Sequence, residues 1–171
     1  MGRPVKSEAQ DLRSAVKAAA WKLISTQGLE SVALRAIARD LNITAPAIYN
    51  YYPSREELIQ ALVADADADL GAYLTDAHAP HLQDDPCVRF RVVCQAYRRW
   101  GVENPQRYLL FFTAPPAADA SPSISPTLAA LIAILDAAQK EGGLKKDEQL
   151  VLPPGLSKLL TEWKTRIAAE N

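Results

Sequence analysis

The side chains with recognition chemistry to offer gather in one short stretch, Thr44-Ala45-Pro46-Ala47-Ile48-Tyr49-Asn50-Tyr51. Read as a helix, it presents Thr44, Ala45, Ala47, Tyr49, Asn50 and Tyr51 on its N-terminal and outer side. Hydroxyls and an amide interleaved with methyl groups suit a helix that enters the DNA major groove, near base edges and phosphates. That is recognition, not bond-breaking. No Ser/His/Asp set, paired carboxylates, phosphate-binding loop or zinc constellation accompanies it, so the chain reads as a non-enzyme without a cofactor. Asp65, Asp67 and Asp69 alternate around a helix and cannot share one face, which suits a solvated surface. Cys87 and Cys94, seven apart, would sit about 10 Å apart along a helix axis. That is too far for a disulfide within the helix, and free thiols fit a reducing cytoplasm. His78 and His81 read as solvent-exposed residues of a polar connector, and no His/Cys spacing supports a metal.

The recognition stretch needs helices to hold it. Leu12, Val16, Ala19, Ala20, Leu23 and Ile24 recur at three- and four-residue steps and predict a helix over about 8–27, stopped by Gly28 in a left-handed turn. Leu34, Ile37, Ala38 and Leu41 mark a second helix of about two turns. Asn42 tolerates the left-handed backbone of a sharp turn, Thr44 caps the third helix, and Pro46 sits in its first turn. Ile43 plugs the turn and Ile48 closes the core, with Tyr52 inside and Tyr49 outside. Ser54 and Glu57 form a capping box for a fourth helix reaching about residue 77. Two short helices joined by a tight turn and packed on a longer one describe a helix-turn-helix. Further helices are predicted over about 86–103, from Pro105 through Phe112, 126–141 and 156–169, with a low-complexity loop between Thr113 and Pro126. The fold expected is all-α: a three-helix head joined by a long helix to a helical second domain, with domains at 1–54 and 55–171.

The chain's 171 residues carry a net charge of −1, which by itself advertises no polyanionic partner. Residues 1–60 hold eight Lys/Arg against six Asp/Glu, and residues 61–171 hold eleven against fourteen, so the head is the more basic part. No signal peptide and no run of about 18 apolar residues is visible, so the chain reads as a cytoplasmic protein.

The stretch from Ile37-Ala38 through Ala47-Ile48-Tyr49-Asn50-Tyr51-Tyr52-Pro53-Ser54-Arg55-Glu56-Glu57-Leu58 resembles the tetracycline-repressor (TetR/AcrR) family of transcriptional regulators over about residues 8–62. Three positions depart from it. Ala33 stands where the family has a capping Thr, so Ser31 is the alternative cap; Asn42 replaces a turn Gly; Tyr52 replaces a Phe. The resemblance implies that Thr44, Tyr49 and Arg55 contact phosphates, and that Ala45, Ala47 and Asn50 face bases or sugars, Asn50 on adenine and Ala47 on a thymine methyl. Arg35 and Tyr51 complete the implied DNA-binding set, with Arg3 and Lys6 as an arm reaching the minor groove.

The stretch Tyr97-Arg98-Arg99-Trp100 through Asn104-Pro105 to Tyr108 and Phe111-Phe112 resembles the C-terminal domain of the family's Trp-His-Gly subgroup, although no Trp…His-Gly follows in the tail. It implies a small-molecule pocket walled by Phe90, Tyr97, Trp100, Tyr108, Phe111 and Phe112, with Arg98 or Arg99 toward an anionic group. It also implies a homodimer through Leu128, Leu131, Ile132 and Leu135, then Leu156, Leu159, Leu160, Trp163 and Ile167. The function implied is a ligand-responsive repressor that binds double-stranded palindromic operator DNA as a homodimer, away from any membrane. The alternative is a small-molecule sensor or carrier with a vestigial head.

Overall fold

The computed structural model describes residues 6–115, 125–140 and residue 165, with side chains from Asp11 onward. Seven α-helices account for most of the described residues: α1 (Lys6–Gln27), α2 (Leu34–Asp40), α3 (Ala45–Tyr49), α4 (Arg55–His78), α5 (Pro86–Glu103), α6 (Pro105–Thr113) and α7 (Pro126–Lys140). Short 3-10 turns cover Leu29–Ser31 and Ala79–His81, and no strand occurs among the described residues. The fold is all-α, as the helical periodicities predict. The final helix expected over 156–169 lies outside the described residues except for Thr165.

The local devices follow from residue type. Gly28 ends α1 at φ 85°, and Asn42 turns the chain between α2 and α3 at φ 53°, the left-handed region that Asn tolerates better than most side chains. The Ser54 hydroxyl accepts the Glu57 N–H at 3.1 Å at the start of α4. The 3-10 turn at Leu29–Ser31 has no counterpart in the sequence reading. There the Ser31 hydroxyl donates to the Gly28 carbonyl at 2.7 Å and to Leu23 at 3.3 Å, so it does not cap α2. Ala33 begins α2 with no side-chain cap.

The described chain divides into two compact units. One contains α1–α3, α4 as far as Ala66, and α6; the other contains α4 from Asp67, α5 and α7. In the first, Val16, Ala20, Ile24, Val32, Leu34, Ile37, Ala38, Ile48, Tyr52, Leu58, Ile59 and Leu62 form one apolar core, joined by Leu110 of α6. Arg107 of α6 lies over the Trp21 ring, 5.3 Å from its centroid, and Gln60 donates to the Pro115 carbonyl. Thus α6 packs with the helix-turn-helix, a grouping that the sequence reading does not contain.

In the second unit Leu70, Leu74, Val93, Ala96, Trp100 and Ile134 are buried. The Trp100 indole N–H donates to Asp69 at 3.3 Å, and the Thr127 hydroxyl donates to the Asp67 carbonyl at 3.1 Å. A Cβ at Gly71 would lie 2.9 Å from the Pro126 backbone, so glycine allows α7 to start hard against α4. Asp65 and Asp69 are exposed, as the solvated reading of the acidic run expects, and each also has a partner. Asp69 accepts the hydrogen bond of the Trp100 indole N–H, and Asp65, in the first unit, pairs with Lys17 at 2.6 Å. His78 is corrected: it ends α4 half-buried instead of lying in a loop. Its pKa is lowered, first by burial and then by the neighbouring Arg89 and His81 charges. His81 bonds Asp84 at 2.7 Å. Cys87 and Cys94 are exposed free thiols. No helix among the described residues is long and apolar enough to cross a membrane, and none of them forms a cluster suited to a metal.

Candidate nucleic-acid interface

The recognition helix α3 is five residues long and works as a wedge. Ile48 is fully buried, while Tyr49 keeps 40 % of its surface exposed. Three residues further on, Tyr52 returns to the core at 4 % exposure. This split follows from the 3.6-residue period: positions 48 and 52 face inward, and position 49 faces outward. Thr44, Ala45, Pro46 and Asn50 are exposed, and Ala47 and Tyr51 are half-buried. Of the expected contact residues in this stretch, Thr44, Ala45, Tyr49 and Asn50 are thus exposed around a short helix that is pinned by Ile48, while Tyr51 packs against the core.

Thr44 is the cap of α3. Its hydroxyl oxygen accepts the Ala47 N–H at 3.3 Å, which leaves the hydroxyl proton free to be donated outward. Asn50 closes the helix, with its own N–H bonded back to Pro46 and Ala47. The turn before α3 is fixed by the Ile43 N–H to the Ala38 carbonyl at 2.9 Å, so α2 and α3 hold one mutual geometry. Arg35 is exposed at the start of α2 and makes no ion pair among the described residues. Of the expected arm, Arg3 lies outside the described residues, and only the helical backbone of Lys6 is described.

Arg55 has inward partners that the sequence reading does not contain. Its Nε donates to the Val32 carbonyl and one terminal nitrogen to the Leu29 carbonyl, both at 2.9 Å. Glu30 and Glu56 lie 3.6 and 3.9 Å from the same guanidinium. The side chain folds back over the 3-10 turn and the entry to α2 because two carbonyls there match its fork. It ties α4 to the turn that positions α2, instead of presenting its charge outward.

A residue absent from the sequence-based set stands beside α3. The Arg13 guanidinium of α1 lies 5.7 Å from the centre of the Tyr51 ring and 5.6 Å from that of Tyr52. The Tyr52 hydroxyl is held above its ordinary pKa by burial, against the lowering effect of Lys17 and Arg13. No spacing rule joins residue 13 to residue 51, so only the folded chain reveals the pair.

The residues of the expected ligand wall divide between the two units. Phe90, Tyr97 and Trp100 belong to one unit, and Tyr108, Phe111 and Phe112 to the other. Trp100 is 2 % exposed, whereas Phe112 is 69 % exposed and meets the Tyr108 ring at a tilt of 59°, 5.3 Å between centres. Two cavities of about 270 and about 300 Å³ lie in the first unit, and none of the six aromatic residues lines either.

Residues 17–62 match the family described as bacterial regulatory proteins of the tetR family, and residues 90–154 match the tetracyclin repressor-like C-terminal domain. The HTH-type transcriptional regulator Rv1816 of Mycobacterium tuberculosis is 35 % identical over 88 residues, covering 52 % of this chain and 38 % of that protein. The HTH-type transcriptional regulator AcrR of Shigella flexneri is 26 % identical over 110 residues, covering 64 % of this chain and 51 % of its own length. These matches thus span about two-fifths to one-half of the curated relatives. Among solved structures, the regulatory protein SCO4313 superposes with a TM-score of 0.63 at 26 % identity, covering 97 % of this chain and 83 % of that one. A tetR family transcription regulator from Shewanella sp. PV-4 shares the fold, with a TM-score of 0.53 at 19 % identity and coverage of 83 % and 74 %. With a family match in both its N-terminal and its C-terminal part, the chain belongs to the tetR family of bacterial regulatory proteins.

Proposed function

We propose that this protein is a DNA-binding transcriptional regulator, acting as a ligand-responsive repressor. In this reading a homodimer lays two copies of α3 into adjacent major grooves of a roughly palindromic operator, with centres about 34–36 Å apart or a multiple of that. Residues 1–54 bind DNA, and residues 55–171 carry the effector site and the dimer contact. The protein works in the cytoplasm on double-stranded DNA. One observation carries the reading. A short helix is fixed by a buried Ile48 and a capping Thr44 while Ala45, Tyr49 and Asn50 stay exposed on its outer side. The family membership and the names of the relatives support the same conclusion.

The dimer contact has support in α7, where Leu128 and Leu135, two turns apart, are 36 % and 41 % exposed and Leu131 and Ile132 are half-buried. The remaining expected contact residues, Leu156, Leu159, Leu160, Trp163 and Ile167, lie outside the described residues. For repression to be released, the effector must bind the DNA-free state more tightly than the DNA-bound state.

The test is fluorescence anisotropy on the duplex directly upstream of the protein's own gene, against a scrambled duplex, at two salt concentrations. Tighter, salt-sensitive binding to the upstream duplex is expected. Equal weak binding to both duplexes, repeated on every promoter tried, would refute the operator reading. It would leave a sensor with a vestigial head, a reading to which the uncapped Ala33 start of α2 lends some weight.

A further inference from the structure

The cations of the helix-turn-helix unit are not equally available to DNA. Lys17 is neutralised by Asp65 at 2.6 Å, and Arg55 donates inward to Leu29 and Val32. Arg13, like Arg35, is exposed and makes no ion pair among the described residues, and its guanidinium alone sits over Tyr51 and Tyr52, at the end of the recognition helix. We propose that Arg13 is a phosphate-binding residue, supplying from α1 the backbone contact that the sequence pattern assigns to Arg55.

The inference rests on the DNA-binding reading above and deepens it. Tyr51 directly follows Asn50, the residue that closes α3, so a cation tethered to Tyr51 is placed beside the recognition surface. The guanidinium carbon lies over both rings, 5.7 and 5.6 Å from their centres. Among the described residues no ion pair takes up its N–H groups, and a guanidinium carries five donors in a fork that matches a phosphate. A side chain already held by two rings also loses less rotamer freedom on binding than a free surface arginine. A lysine at this position would keep the charge and lose the fork.

The experiment uses the full chain and the variants Arg13→Ala, Arg13→Met and Arg13→Lys. Binding is measured over a salt series on a random-sequence duplex and on a duplex recovered from a random pool by the wild-type protein. Neutralising one phosphate contributes about 0.9 to the slope of log K against log salt. Arg13→Ala and Arg13→Met are therefore expected to lower the slope by about one on both duplexes, while the selected sequence stays the same. Arg13→Lys is expected to keep the slope and bind less tightly. Melting curves accompany each variant, because Arg13 also packs on the buried Tyr52. Arg13→Met retains an apolar stem against the rings, so it decides the matter if the alanine variant does not fold. A wild-type slope in folded Arg13→Met overturns the proposal and leaves Arg13 as packing alone. A wild-type protein without salt-dependent binding to either duplex overturns the DNA-binding reading, and this inference with it.

Discussion

Replacing Arg55 by alanine discriminates between an outward phosphate contact and an inward structural latch. The guanidinium makes two hydrogen bonds of 2.9 Å to main-chain carbonyls 23 and 26 residues away in sequence. A hydrogen bond with a charged partner contributes about 1.5–3 kcal/mol when well shielded. Arg55 keeps 30 % of its side-chain surface in solvent, so the lower end applies, and the pair together contributes about 2–3 kcal/mol. Glu30 and Glu56, at 95 % and 60 % exposure, add little. At about 2–4 °C per kcal/mol, Arg55→Ala is expected to lower Tm by roughly 5–10 °C. The assay is a circular-dichroism melt at neutral pH, paired with the salt slope of DNA binding at a temperature where the variant is folded. The latch predicts a large fall in Tm with an unchanged slope. A phosphate contact predicts an unchanged Tm and a slope lower by about one. The second pattern would refute the inward assignment. Arg55→Lys sharpens the result, because a lysine reaches at most one carbonyl well and is expected to recover only part of the loss.

Other outcomes follow from the same geometry. Asn50→Ala is expected to relax base preference at one position per half-site, by about 1–3 kcal/mol, in sequences selected from a random duplex pool; an unchanged selected sequence would remove Asn50 from base reading. Gly71→Ala places a Cβ 2.9 Å from the Pro126 backbone, and the overpacking is expected to cost about 1–3 kcal/mol in denaturant melts, with Gly71→Ser no better. The folded-state pKa of His78 lies below its ordinary 6.5. The folded state therefore binds its proton less readily than the unfolded state, and stability is lost as pH falls through about 6.5 toward the folded pKa. His78→Gln is expected to flatten that part of the Tm-against-pH curve while leaving the carboxylate-driven loss at lower pH. Identical curves for the two proteins would show that His78 does not titrate between the states.

Much of the head was legible in the sequence because its signals are local. A Gly at 28, an Asn at 42, a Thr at 44, a Pro at 46 and a Ser at 54 each act on a backbone within a few residues. The left-handed turns, the cap of α3 and the start of α4 appear where those residues place them. The inward Ile48 and Tyr52 and the outward Tyr49 follow from periodicity on the same short scale. Where a side chain has several acceptable partners, sequence is silent. Arg55 suits a phosphate and a pair of carbonyls equally well by type, and only the fold brings Leu29 and Val32 within 2.9 Å. Trp100 suits a pocket wall and a core equally well by type, and only the fold shows it buried among Leu70, Leu74 and Val93 of its own unit. Leu110 joins the core of the helix-turn-helix, and Arg13 meets Tyr51 across 38 residues. Residue order by itself determined the helices and the face that α3 turns outward, because those depend on neighbours in the chain. The tertiary structure alone decided which cations are drawn inward, because a long charged side chain goes to whichever distant acceptor the packing brings within its reach.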